Sequence, residues 1–496
     1  MRGFRSGLLA FTLATGLAQS PDDLGAKSRR ATQAMAEKRF AEAAALYREL
    51  IAAVPGNAGL HMNLGLALHS TRQYREALEQ FETAARLQPD LAPAHLLLGM
   101  TQLKLGQPAK AIDPLKQALA LQPSDAMACL ELADAYLSLA RFDEAAAQFR
   151  RLTELDARSP KAWHGLGLAY VSLSRAAFAE LEKTAGQSAY WYALLARSRA
   201  EQGQHGTAYH FYRRALEVKP AFRGIHPAIA EIYRATGRAE WAAKEQAKEA
   251  RLPRPDCNAE PIECAFAAGR YEQVLQLTRA KRTAEALYWR SRAAGELASA
   301  AFLRLGQLPP SSSLHELLAE AHGLQGNYAA AAAEWRKALA LAPSDSRLER
   351  GLARSLWMGR EYEQARPLLE KLVRREASRT AELHYQLGDT IFRLQGAEEA
   401  LPHLTRAAAQ DATLLPTRAL LGRVLLDLGQ AEKAIPHLKA ALPEDADGST
   451  LFQLSRAYRA VGQAELARQT LAQYQEKVKS RGVEEGGSAT LEVTEP

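Results

Sequence analysis

Between residues 24 and 480 apolar side chains recur at i, i+3, i+4 and i+7, the spacing that lines one face of an α-helix. The pattern comes in short blocks punctuated by glycine or proline. "ARLQPD" (85–90) is followed by "ALALQPSD" (118–125), which places Pro89 and Pro123 thirty-four residues apart. Pro55, in "AAVPGN", lies a further thirty-four residues upstream. Proline cannot continue the helical hydrogen-bond ladder, so each one marks where a helix has ended. The pattern predicts paired helices on a thirty-four-residue beat, and aligning 58–91 with 92–125 supports it. Gly65 falls on Gly99, Ala77 on Ala111, Ala84 on Ala118 and Pro89 on Pro123.

The same register recurs along the chain. It is carried by Trp163, Leu166, Gly167 and Tyr170; by Gly203, Ala208, Tyr212, Ala215 and Pro220; and by Gly326, Tyr328, Ala331, Trp335, Ala338 and Pro343. Leu387 and Gly388, then Leu421, Gly422 and Gly429, continue it. Counting each unit from the residue equivalent to Ala58 or Ala92, the small residues at positions 8, 20 and 27 let helices approach closely, and larger ones at 4, 11, 17 and 24 fill the spaces between. A lone hairpin cannot bury its apolar face, so the units must stack.

This arrangement resembles the tetratricopeptide repeat (TPR) family. The resemblance implies an all-α fold, an α-α superhelix of about fourteen helical hairpins between residues 24 and 480. It also implies a protein-binding scaffold with no cofactor. The beat falters at 160–188 and again at 284–311, where "AAFAELEKTAG" and "AAFLRLGQLPP" are related. Phe178 and Phe302 correspond there, 124 residues apart, which suggests a larger internal duplication.

The N-terminus changes the picture of where the chain works. Arg2 and Arg5 precede an apolar run at 7–18, and Gly16 and Ala18 supply small residues before Gln19. That is the pattern of a signal peptide over residues 1–18, so the mature chain is expected to be exported, periplasmic or secreted. The run is too short for a membrane span. In such a compartment Cys257 and Cys264 are disulfide candidates, whereas Cys129 reads as a small buried apolar residue. The resulting division is a signal peptide (1–18), an N-terminal solenoid (19–253), a cysteine-containing connector (254–283), a C-terminal solenoid (284–480) and a disordered acidic tail (481–496).

The formal net charge of +7 is interspersed along the chain, with no basic stripe of the kind that tracks nucleic acid. Catalytic and metal motifs fail on spacing. "HELLAEAH" (315–322) places His315 and His322 seven residues apart, not the four a zinc-binding helix needs, and at core positions of the repeat. No metal, cofactor or catalytic residue is expected. Some TPR proteins hold a C-terminal carboxylate with a Lys, Asn and Arg clamp, but only Asn63 matches that pattern here.

The resemblance directs attention to the inner face of each first helix. In the N-terminal half that face carries Met62, Leu66 and Met100 with several leucines, an apolar surface suited to helices or extended peptides, or else one covered by neighbouring helices. In the C-terminal half it carries Arg292, Arg350, Arg354, Arg423, Arg456 and Arg459, interleaved with Tyr288, Trp357, Tyr385, Phe392 and Phe452. Arginine binds carboxylates bidentately and stacks on aromatics, which points to an acidic partner. The bland alternative is a solvated face with local pairs to Glu382, Asp389 and Asp427. The functional expectation is a non-enzymatic scaffold for protein or peptide partners. The alternative is a structural component of a cell-envelope complex.

Overall fold

A computed structural model describes residues 21–375, 381–484 and Thr494. The proposed signal peptide and most of the acidic tail lie outside those residues. The described residues contain twenty-six α-helices, forming thirteen antiparallel pairs, in line with the expected all-α repeat fold of about fourteen. They fall into two compact units, divided between Ala157 and Arg158.

The first unit holds α1 (Pro21–Ala36), α2 (Phe40–Ala53), α3 (Ala58–Ser70), α4 (Tyr74–Leu87), α5 (Ala92–Lys104), α6 (Pro108–Leu121), α7 (Ala126–Ser138) and α8 (Phe142–Leu155). Each odd helix pairs with the next, and each pair stacks on its successor. The short "PGN" and "PSD" sequences perform two jobs. The proline follows the end of one helix, and the polar residue two positions on starts the next. Asn57 accepts from the Leu60 amide, and Asp125 accepts from the amides of Met127 and Ala128. Such caps satisfy otherwise orphaned donors, at about 1 kcal/mol each. Within the hairpins the turn needs a left-handed residue. Gly106 supplies it after α5, but Lys38, Arg72 and Ala140 adopt φ of 60°, 63° and 54° at the other turns of this unit.

The second unit begins with α9 (Pro160–Ala185), which is followed by α10 (Ala189–Glu201), α11 (His205–Val218), α12 (Ile225–Ala235), α13 (Ala239–Ala250), α14 (Pro261–Ala267) and α15 (Tyr271–Thr278). Next come α16 (Ala284–Gly306), α17 (Ser312–Leu324), α18 (Tyr328–Leu341), α19 (Ser346–Met358), α20 (Tyr362–Arg375) and α21 (Ala381–Leu394). The chain continues through α22 (Ala397–Gln410), α23 (Leu415–Asp427), α24 (Ala431–Ala441), α25 (Ser449–Ala460) and α26 (Ala464–Glu484). The last helix enters the segment assigned from sequence to the tail.

The faltering beat has a tertiary cause. Helices α9 and α16 are 26 and 23 residues long, and they pack against each other along their length. Elsewhere a glycine at position 8 faces a large residue sixteen positions later in the same hairpin. A Cβ on Gly65, Gly99, Gly388 or Gly422 would stand 2.5–2.7 Å from Phe81, Leu115, Leu404 or Leu438. A Cβ on Gly167 would instead meet Phe302, at 2.5 Å and 135 residues downstream. Ser174 donates to the Ser291 carbonyl at 2.9 Å, which sets the antiparallel register of the pair. The two related segments are therefore each other's partners. Residues 189–278 form a branch of three hairpins, α10–α11, α12–α13 and α14–α15, inserted between the halves of one long hairpin. Helix α17 then packs on α9, and Arg175 donates to the Leu324 carbonyl at 2.9 Å.

The cysteine-containing connector lies within this branch. The sulfurs of Cys257 and Cys264 are at bonding distance, and the bridge spans the segment from the loop into α14. Closing this eight-residue loop should stabilise the segment by about 2–3 kcal/mol through chain entropy. Protein purified without reductant and then denatured should expose one thiol per chain, that of the buried Cys129. Reduction should raise hydrogen exchange in 254–278 while leaving α1–α8 unchanged. Three titratable thiols before reduction would refute the bridge.

Candidate binding surface

Helices α19, α21, α23 and α25 are the first helices of four consecutive hairpins, and each neighbours the next. Arg354, Arg423 and Arg456 occupy one repeat position on α19, α23 and α25. Asp389 occupies that position on α21, so the row reads Arg, Asp, Arg, Arg. Three further features arrange its charge. Arg423 Nε and Arg456 Nη1 approach opposite oxygens of Asp427 at 3.9 and 3.8 Å, longer than hydrogen bonds. Arg456 Nη1 also donates to Gln453 at 2.9 Å. Arg354 is exposed on α19 and forms no ion pair with the described residues. Two guanidiniums therefore share one loosely held carboxylate, and the third pairs with none.

The aromatic residues fall between these charges. Trp357 and Tyr385 meet edge to face with ring centroids 5.7 Å apart, and Phe392 lies beneath the Arg423 guanidinium at 5.0 Å. All three are half-buried against the core formed by the closing hairpins. Trp357 Nε1 donates to Asp389 Oδ2 at 2.8 Å, while Arg393 Nε donates to its other oxygen at 3.2 Å. Asp389 therefore anchors the indole and does not neutralise the arginine row. Burial and the Asp389 charge push the Tyr385 hydroxyl up to about 12, so it remains a neutral donor at ordinary pH. Glu382 accepts from Gln386 at 3.0 Å and plays no part in the row.

Sequence reasoning missed the role of Asp389, although its spacing from the arginines placed it in the row. It also grouped Arg292 and Tyr288 with this surface. Both lie on α16 and face the inserted branch. In the first unit, Met62 and Leu66 on α3 and Met100 on α5 are half-buried along neighbouring first helices. Met62 packs against that unit's core. These three carry no polar group that would orient a ligand, so their surface alone defines no site. His315 pairs with Glu334 through Nδ1 at 2.7 Å and does not converge with His322. Among the described residues no group of three or more His, Cys, Asp or Glu side chains could hold a metal ion. Nor is any described helix long and apolar enough to cross a membrane.

Stacked helical hairpins with a recurrent inner face define an α-solenoid of the helical-repeat class. Four family models described as tetratricopeptide repeat match, at residues 28–74, 56–124, 102–168 and 264–442. The chain is a tetratricopeptide repeat protein. Similar solved structures include a crystal structure of MamA protein, at 20% identity over 40% of this chain and 92% of that one, with a TM-score of 0.29. A crystal structure of YrrB, a TPR protein with an unusual peptide-binding site, matches at 21% identity over 39% and 85%, with a TM-score of 0.28. A tetratricopeptide repeat protein from Parabacteroides merdae matches at 13% identity over 67% and 98%, with a TM-score of 0.30. No curated protein matches this chain.

Proposed function

We propose that this chain is an exported, non-enzymatic scaffold that binds an acidic, extended segment of a partner protein across α19, α21, α23 and α25. The observation that carries the reading is the imbalance on that face. Arg423 and Arg456 share Asp427 at 3.8–3.9 Å, Arg354 forms no ion pair with the described residues, and Asp389 is occupied by Trp357 and Arg393. Such guanidiniums can exchange a weak internal pair for bidentate contacts with an incoming carboxylate. The adjoining rings of Trp357, Tyr385 and Phe392 offer apolar surface to the side chains between the acids. A basic, apolar and small-residue N-terminus and a close cysteine pair both support export.

The mature protein should capture a defined client from an envelope extract. The Arg354→Ala, Arg423→Ala, Arg456→Ala variant should then lose at least about tenfold in affinity, since a charge-assisted contact contributes on the order of 1.5–3 kcal/mol before entropic costs. Raising salt should weaken the wild type toward the variant. A variant with unchanged helicity and melting that bound the client as tightly at low salt would reduce the row to a solvated surface.

A further inference from the structure

The inserted branch contains a second candidate site. Helices α10, α11 and α12 curve around α16 and leave a cavity of about 460 Å³. That volume is within the range of small-ligand pockets, roughly 300–1,000 Å³. It lies wholly within the second unit and shares no lining residue with the arginine row. The bottom of the α10–α12 groove is made by small side chains, notably Ala193, Ala200 and Ala228, and this leaves the space open. Ile225 and Ile232 supply apolar wall.

The charges around the cavity are equal in number but unevenly paired. Arg197 on α10 pairs with Glu201 at 2.9 Å and with Glu296 of α16 at 3.2 Å. Glu231, at the exposed edge, pairs with Arg234. Arg292 has no such partner: it forms no ion pair with any described residue. Its Nη1 donates to the Tyr288 hydroxyl at 3.0 Å, and its guanidinium rests over the Phe266 ring at 4.7 Å. Its Nε is buried with no acceptor. An aromatic face stabilises a cation but offers no acceptor oxygen, so the buried Nε proton is left without a partner. The buried His205 Nδ1 is another lining atom without a partner. Tyr212, buried between the helices at the cavity wall, is pushed up to about 12 by burial and so retains its hydroxyl proton. A guanidinium held by no ion pair, a neutral phenol and apolar walls suit one class of ligand.

We propose that this cavity binds a small carboxylate with an apolar body, on the scale of an acylated aromatic amino acid. The carboxylate would pair with Arg292 and accept from Tyr212, and the apolar body would lie between Ile225 and Ile232. Helix α16 closes the site from the side opposite α10 and α12. The long α9–α16 hairpin thus gives the branch a wall that a simple row of stacked hairpins would lack.

The test uses the full mature chain and three probes: N-acetylphenylalanine, phenylacetate and octanoate. Binding is measured by calorimetry, and N-acetylphenylalaninamide serves as the uncharged control. At least one acid should bind with a Kd of about 1 mM or tighter. The amide should bind at least about tenfold more weakly than its acid. Arg292→Gln should remove that preference, and Ala228→Phe, which fills the cavity without touching a charge, should abolish binding. The Arg354, Arg423 and Arg456 triple variant should bind the acids normally, which separates this site from the proposed client surface. Equal binding of acid and amide would overturn the proposal. So would wild-type affinity in a normally melting Arg292→Gln or Ala228→Phe protein, or no saturable binding of any acid by 10 mM, roughly tenfold above the expected Kd.

Discussion

Truncating Phe81 to alanine is expected to destabilise the first unit by about 3–5 kcal/mol. Phe81 is fully buried, and its ring lies directly over Gly65. The facing position has no side chain that could swing into the vacated space. The backbones of α3 and α4 are held in place by the hairpins on either side, so collapse around the hole is limited. The cost should therefore include both lost transfer energy and a residual cavity. Because repeats interact chiefly with their neighbours, the damage should be local. Hydrogen exchange should rise first in residues 58–87 and adjoining helices, with the protection of α21–α26 retained. Urea unfolding followed by circular dichroism gives the magnitude. A loss below about 1 kcal/mol would show that the hairpin closes readily around the gap.

Acid should destabilise the second unit through His164. This side chain lies on α9 beside the Phe302 ring of α16, with 11% of its surface exposed. Burial lowers its pKa to about 4, from 6.5 in an unfolded chain. Below pH 6.5 the unfolded state takes up a proton that the folded state refuses. Stability is therefore complete above that pH and falls as the pH drops toward 4, by at most about 3 kcal/mol. Glu320, 3.6 Å away, acts in the opposite sense. Its own burial raises its pKa, so it favours the folded state as acid protonates it, chiefly in the lower part of the interval. The clearest slope should lie between about pH 6.5 and 5.5. Urea titrations across that range should show stability falling in the wild type, with a shallower fall in His164→Leu. Parallel pH profiles for the two proteins would remove His164 as the cause. The lowered pKa values of His384, His403 and His437 act in the same direction, and the comparison of variants subtracts them.

Much of the fold was legible because its instructions are local. Pro89 and Pro123 stop helices through the chemistry of their own amides. Asn57 and Asp125 start helices through bonds to amides two or three residues away. The arginine row was legible for a related reason. Stacking turns a thirty-four-residue spacing into spatial alignment, so equivalent repeat positions must share a face. Asp389 was harder to interpret. Whether an acid neutralises an arginine or holds an indole depends on the orientations of side chains from two hairpins.

The pairing of α9 with α16 was not legible. Both segments carry the same small and large periodicity as their neighbours, and both looked like shortened hairpins. Nothing within 160–188 records that the ring filling the space over Gly167 comes from Phe302 rather than from sixteen residues on. That choice moved Arg292 away from the C-terminal inner face to the wall of a half-open cavity. Turns, caps and helical periodicity depend on torsions and hydrogen bonds spanning a few residues, so composition along the chain specifies them. The choice of partner depends on how apolar faces fit, and in a chain of near-equivalent hairpins many faces carry almost the same pattern. Distinguishing among them requires side-chain shape in three dimensions, with the whole second unit assembled.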